Sequence, residues 1–168
     1  VGFIFGFPGL ESLPDGPHPK HCSHMLGILE SHRDSGLGFA LKRALAAKLG
    51  VLPAQITLGN GSNDILEFAA RAFVTAQDEV MFSQHAFAGY PIVTQAVGAR
   101  AVEVPARNWG HDLDAMHAAI TARTRLIFIA NPNNPTGTWL RGAALEAFLD
   151  KLPASVIVVM DEAYFEYV

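Results

Sequence analysis

Cysteine is almost missing from these 168 residues: Cys22 stands alone, which excludes an internal disulfide framework and suits a reducing compartment. Clustered positive charge is missing too. Twelve Lys and Arg stand against sixteen Asp and Glu, a net charge of -4 with no basic run able to neutralise a track of phosphates, so nucleic acid is not an expected partner. Every apolar stretch is broken by Gly, Pro or charge well short of the roughly 20 residues that span a bilayer, and no membrane segment is expected. The opening VGFIFGFPGL is apolar, yet no basic segment precedes it and no small-residue cleavage site follows, so the cytoplasm is the expected location. What remains is ample: half the residues are apolar, enough to bury the core of one folded domain and to exclude disorder.

Residues 1–35 show neither helical nor strand periodicity and read as an irregular arm, whereas 36–168 read as one folded domain. His18, His21, His24 and His32 surround Cys22 in the arm, but they lack the tight paired spacing of zinc ligands, and a solvated His-rich segment is the expectation. Beyond Phe39 the pattern turns regular. Leu41, Leu45 and Leu49 form a helical stripe closed by Gly50, and Gln55 to Leu58 is a short strand. Ile65, Leu66, Ala69 and Phe73 mark a helix capped near Ser62, followed by a strand from Glu79 to Phe82. A helix opened by Pro91 carries Ile92, Val93, Ala96 and Val97, a strand covers Ala101 to Val104, and a further helix starts near Asp112. Leu126 to Ala130 and Val156 to Met160 are continuous apolar runs, the mark of strands buried on both faces, and Leu145, Phe148, Leu149 and Leu152 form a helical stripe between them. This alternation specifies an α/β fold, a three-layer sandwich around a mostly parallel sheet, with any ligand at the carboxyl ends of the strands.

Four loops leave those ends: GNGSND (59–64), SQHAFAGY (83–90), ANPNNPTG (130–137) and DEAYFEY (161–167). In the first, Gly61, Ser62 and Asn63 open a helix, so backbone N-H groups and the positive end of the helix dipole meet where an anion could bind; Ser62 reads equally well as a simple helix cap. The loop is one glycine short of a dinucleotide fingerprint, because Asp64 occupies the third glycine's place. Asp161 follows four apolar strand residues, where an unpaired carboxylate is costly to desolvate; with no Lys or Arg nearby in sequence, it is either a turn residue or the partner of a distant side chain, a set of backbone donors or a positively charged ligand atom. Asn134, fixed between Asn133 and Pro135, presents an amide able to donate to a ligand oxygen, and Phe87 or Tyr90 could cover a flat ring if not simply core.

Together these loops resemble the fold-type I, pyridoxal-phosphate-dependent aminotransferases, and GNGSNDILE, HDLDAM, ANPNNPTGT and DEAYFEY look like those of the histidinol-phosphate aminotransferases. The likeness runs from about Phe39 to Val168 and implies that 36–168 form part of a cofactor-binding large domain. It implies pyridoxal 5'-phosphate as cofactor, its phosphate at Gly61, Ser62 and Asn63, its ring stacked by Phe87, its phenolic oxygen met by Asn134 and Tyr164, and its ring nitrogen paired with Asp161. The implied substrates are L-histidinol phosphate with the glutamate/2-oxoglutarate pair, in histidine biosynthesis, and the implied assembly is a homodimer. Another aminotransferase of the same class, a phosphothreonine decarboxylase-like enzyme and a non-catalytic nucleotide-binding or dimerisation module are the alternatives.

Two features depart from the family pattern. Its Schiff-base lysine lies beyond the DEAY motif, while Lys20, Lys42, Lys48 and Lys151 all precede it, so these 168 residues are expected to be a fragment that does not turn over alone. GPHPK (16–20) only faintly matches a family GPSPK segment, and HRD (32–34) stands where a tyrosine-containing RYPD is expected.

Overall fold

The computed structural model describes residues 4–5, 22–26 and 37–164, and the chain divides into two compact units, Val1–Ile65 and Leu66–Val168.

In the first unit, strand β1 (Ile4–Phe5) pairs antiparallel with β2 (Cys22–Leu26), which pairs in parallel with β3 (Ile56–Gly59). Two strands therefore lie inside the segment expected to be irregular, and the division between units falls at Ile65 rather than near residue 35. Strand β1 has only two residues, and CSHML of β2 does not alternate apolar with polar residues, so neither shows a readable period. The histidine side chains of this segment lie outside the described residues; among those described, no cluster of three or more potential metal ligands occurs. Helix α1 (Leu37–Leu49) ends in a Schellman motif: Gly50 takes φ +66°, its N-H donates to Ala47, and the Val51 N-H donates to Ala46. Leu45 and Ala46 of α1 pack with Ile56 of β3, and Leu49, Val51 and Leu58 border them.

The second unit holds a four-stranded parallel sheet in the order β5-β4-β6-β7, from β4 (Glu79–Ser83), β5 (Arg100–Val104), β6 (Thr124–Ala130) and β7 (Ile157–Asp161). Central strands β4 and β6 alternate across two cores, as the twofold period of a strand requires. Val80, Phe82, Leu126, Phe128 and Ala130 face Leu66 and Ala70 of α2 (Ser62–Phe73), Val74 just after it, and Tyr90 and Val93 of α3 (Gly89–Ala96). Met81, Ile127 and Ile129 face Met116 of α4 (Leu113–Ala118) and Leu145 and Phe148 of α5 (Gly142–Leu149). Helices on both faces of a parallel sheet make the expected three-layer α/β sandwich. Asp112 caps α4 as anticipated, its Oδ1 accepting from the Ala115 N-H at 3.1 Å. Among the described residues, no helix is long and apolar enough to cross a membrane.

Three expectations about burial require correction. On α2 Ile65 and Leu66 are buried as anticipated, but the stripe continues through Ala70 to Val74 just beyond the helix, while Phe73, anticipated on the same face, is 51% exposed. On α3 it is Tyr90, Val93 and Thr94, with Ile92 65% exposed; Pro91 sits inside the first turn, where its missing N-H costs nothing. In both helices the sheet surface selected the face, and two overlapping apolar stripes had left the choice open in the sequence. Strand β7, anticipated as buried on both faces, is half-buried along its whole length, because among the described residues it pairs only with β6.

Candidate active site

Strand order places the functional loops. The chain leaves β4 toward β5 on one side and returns to β6 on the other, so the sheet has its switch point between β4 and β6, the place where the carboxyl-end loops of an open α/β sheet generally frame a ligand site. Residues 84–88 follow β4, 131–141 follow β6, and 162–164 follow β7.

The β6 loop is held by its own asparagines. Asn131 makes a reciprocal pair with Leu140, its Nδ2 donating to the carbonyl at 3.2 Å and its Oδ1 accepting from the N-H at 2.7 Å. Asn133, 3% exposed, donates through Nδ2 to the His85 carbonyl at 3.1 Å and to Thr136 Oγ1 at 2.7 Å, and so ties the β6 loop to the β4 loop. Its Oδ1 is buried without a hydrogen-bond partner. Both Asn-Pro bonds, Asn131-Pro132 and Asn134-Pro135, are cis. Asn134 is half-buried, and its side-chain amide makes no hydrogen bond among the described residues. The sequence singled out Asn134 as the ligand donor; the structural staples are Asn131, which closes the β6 loop on itself, and Asn133, which reaches the β4 loop.

Phe87 is half-buried and stands edge-on to Tyr90, ring centroids 5.7 Å apart at 83°. A Cβ on Gly89 would collide with the Phe87 ring, so that glycine is what lets the ring lie against the start of α3. Tyr90 does not cover a ligand. Its side chain is fully buried, stacked on Phe128 at 4.8 Å and 6°, and its Oη donates to Asp161 Oδ2 at 2.9 Å. The sequence left Tyr90 as core residue or ring cover and the structure places it in the core, but its bond to Asp161, 71 residues away, leaves no local signal.

Asp161 ends β7 half-buried, its Oδ1 accepting from the Ala163 N-H at 3.3 Å, and no Lys or Arg pairs with it among the described residues. Of the partners anticipated for it, the structure supplies a distant side chain and a backbone donor but no cation. Burial raises its pKa above the ordinary 3.8, and the hydrogen bonds from Tyr90 and from Ala163 pull it back down. Tyr164, three residues on, is 45% exposed.

In the first unit, Gly59 ends β3 and Gly61 turns the chain at φ +90° into α2. A Cβ on Gly59 would lie 2.8 Å from Asp64 Cβ and 2.9 Å from Ile65 Cδ1, and the Asp64 carboxylate accepts from the Asn60 N-H at 2.7 Å. Asp64 thus does fit at this close approach: Gly59 makes the room, and the carboxylate fastens the turn. The N-H groups of Ser62 and Asn63 lie in the first turn of α2, where no intrahelical acceptor exists. Such a donor set is of the kind that suits one anion; with Asp64 in place of the third glycine it departs from a pyrophosphate cradle.

The model of the family described as aminotransferase class I and II matches residues 34–168. The chain belongs to that family. Among its curated relatives, it is 64% identical over 157 residues to histidinol-phosphate aminotransferase 2 of Pseudomonas fluorescens and 55% identical over 157 residues to histidinol-phosphate aminotransferase 1 of Nitrosococcus oceani. Each match takes in 92% of this chain but 42% of the relative, so the chain spans about two-fifths of the length of these proteins. Among solved structures it is similar to the histidinol-phosphate aminotransferase of Sinorhizobium meliloti in complex with pyridoxal-5'-phosphate, at TM-score 0.72 and 35% identity over 76% of this chain and 35% of that one. Membership of an aminotransferase family replaces the nucleotide-binding alternative.

Proposed function

We propose that this chain carries the greater part of the cofactor cradle of a pyridoxal-phosphate-dependent histidinol-phosphate aminotransferase. One observation carries the reading: a half-buried carboxylate, Asp161, stands at the carboxyl end of β7 with a phenol and a backbone N-H as partners and no side-chain cation among the described residues. Such a group is completed by a cationic N-H from a ligand. By the family likeness, the unengaged Asn134 amide is assigned to a phenolic oxygen of that ligand and the donors at the start of α2 to its phosphate.

In this reading Asp161 holds the ring nitrogen, Asn134 and Tyr164 meet the phenolic oxygen, Phe87 stacks on the ring, and Gly61, Ser62 and Asn63 bind the phosphate. When bound, pyridoxal phosphate supplies a protonated ring that draws electrons away from the substrate's α-carbon. Asp161 keeps the proton on that ring nitrogen by remaining ionised beside it. Asn134 and Tyr164 orient the ring through its oxygen, while Phe87 excludes water from one face. The substrates are L-histidinol phosphate and the glutamate/2-oxoglutarate pair, by likeness to relatives of that name. No lysine follows Asp161 in these residues, so turnover is assigned to the complete enzyme, this chain continued through the remaining length of its relatives. That enzyme is a cytoplasmic homodimer in this reading.

The test is Asp161→Asn in the complete enzyme. Removing one partner of a buried charge pair costs about 3 to 5 kcal/mol, so pyridoxal phosphate should dialyse away and its absorbance band be lost, whereas Phe87→Leu should weaken retention far less. Unchanged retention in Asp161→Asn refutes the assignment. Transamination of L-histidinol phosphate in preference to other amino donors supports the substrate; preference for another donor moves the enzyme elsewhere in the family.

A further inference from the structure

Tyr90 has no part in the functional reading above, yet its contacts are too specific for simple filling of the core. The ring is fully buried between Phe128, stacked at 4.8 Å, and Phe87, edge-on at 5.7 Å, and a third aromatic ring, Phe82, lies 6.2 Å away. Its backbone is anchored as well: the N-H donates to the Phe87 carbonyl at 3.1 Å, and the carbonyl accepts from Thr94 Oγ1 at 2.7 Å. Held so, the phenol reaches one point, Asp161 Oδ2 at 2.9 Å, while Oδ1 keeps only the longer 3.3 Å bond from the Ala163 N-H.

We propose that Tyr90 is a positioning residue for Asp161: its phenol fixes the carboxylate's orientation and stabilises its ionised form, so that the acid is ready for the ring nitrogen of pyridoxal phosphate. The inference rests on the functional reading above and names a residue through which that site is set. The phenol can act only as a donor in this pair, because burial and the adjacent carboxylate push its pKa well above the usual value for tyrosine. Burial works against the charge on Asp161, and the Tyr90 hydrogen bond is the larger of the two bonds that oppose it. Without the phenol, only the longer Ala163 bond would oppose burial, which already holds the Asp161 pKa above its ordinary value, and a neutral carboxyl has much less to offer a protonated ring nitrogen. Tyr90 also supports Phe87 through its ring, and Tyr90→Phe keeps that contact while deleting the donor.

The experiment uses the complete enzyme and two ligands: pyridoxal phosphate and its carbocyclic counterpart, with C-H in place of the ring nitrogen. A hydrogen bond to a charged group predicts that Tyr90→Phe weakens pyridoxal phosphate about ten- to a hundredfold and the carbocyclic ligand by no more than about twofold. In an Asp161→Asn background the same substitution should cause no further loss, since the phenol acts through the carboxylate. Equal loss for both ligands, or loss that persists beside Asp161→Asn, overturns the role of Tyr90 while leaving the functional reading intact. A wild-type enzyme that binds neither ligand overturns both. Should Tyr90→Phe not fold, fluorotyrosines at position 90 preserve the packing and strengthen the donor: affinity for pyridoxal phosphate should climb with phenol acidity, and a flat series refutes the proposal.

Discussion

Glu79 is 1% exposed at the amino end of the central strand β4, and removing its side chain is a perturbation whose magnitude the structure bounds. Its Oε2 accepts from Thr121 Oγ1 at 2.6 Å, and its Oε1 accepts from Arg123 at 2.8 and 3.2 Å and from Arg100 at 3.3 Å. A hydrogen bond to a charged group contributes about 1.5 to 3 kcal/mol, and each buried methylene about 0.8 kcal/mol. The full sum does not apply. The Arg100 and Arg123 side chains are 69% and 60% exposed and regain water when the carboxylate leaves, so the cost falls short of an orphaned buried charge. Glu79→Ala should destabilise by about 2 to 4 kcal/mol, and Glu79→Gln, which can still accept from Thr121, by about 1 to 2 kcal/mol. The Thr121 hydroxyl first, then Arg123 and Arg100, hold the Glu79 carboxyl below its ordinary 4.5. A depressed carboxylate stabilises fully above the unfolded-state value, so the gap between wild type and Glu79→Gln should be widest above about pH 5 and close as acid protonates the native Glu79. Urea unfolding followed by far-ultraviolet circular dichroism, across that pH range, measures both. A Glu79→Ala protein within about 0.5 kcal/mol of wild type at neutral pH, or a gap to Glu79→Gln unchanged in acid, would refute this account.

Two further predictions concern the site and its support. Gly59→Ala drives a Cβ to 2.8 Å from Asp64 Cβ, an overpacking worth about 1 to 3 kcal/mol; the displaced turn should lower affinity for pyridoxal phosphate while sparing phosphate-free pyridoxal, as equilibrium titration with both would show. His111, 8% exposed, donates through Nε2 to the Ala130 carbonyl at 2.7 Å, and burial depresses its pKa below 6.5 against the opposing pull of that carbonyl. A histidine held neutral stabilises above its unfolded pKa and loses that contribution as pH falls, so unfolding free energy should drop below about pH 6.5 in wild type and fall less steeply in His111→Gln. Parallel slopes in the two proteins would count against it.

Most of the fold of residues 37–164 was legible because its signals are local. The alternation of helical and twofold periods located β3 through β7, the Asp112 cap marked α4, and Gly50 marked the end of α1, each within a residue or two. Less could be read where a segment's burial depends on its neighbours. The apolar run of β7 looks like that of β6, yet β6 lies between two strands and β7 pairs with one among those described. Strand β1 is too brief to show a period, and CSHML of β2 has no apolar-polar alternation to reveal one.

The sequence by itself determined which segments leave the carboxyl ends of strands, because polar and glycine-rich stretches directly after apolar runs mark those ends: GNGSND follows β3, ANPNNPTG follows β6, and the described part of DEAYFEY follows β7. Which of their side chains remain available to a ligand was decided by the tertiary structure alone. Asn131 and Asn133 are consumed in holding loops together, Tyr90 is taken into the core to meet Asp161, and Asn134 is left over. The reason is physical: hydrogen bonds between residues 48 and 71 positions apart depend on where packed helices and strands deliver the two ends, and no local pattern of side chains encodes that.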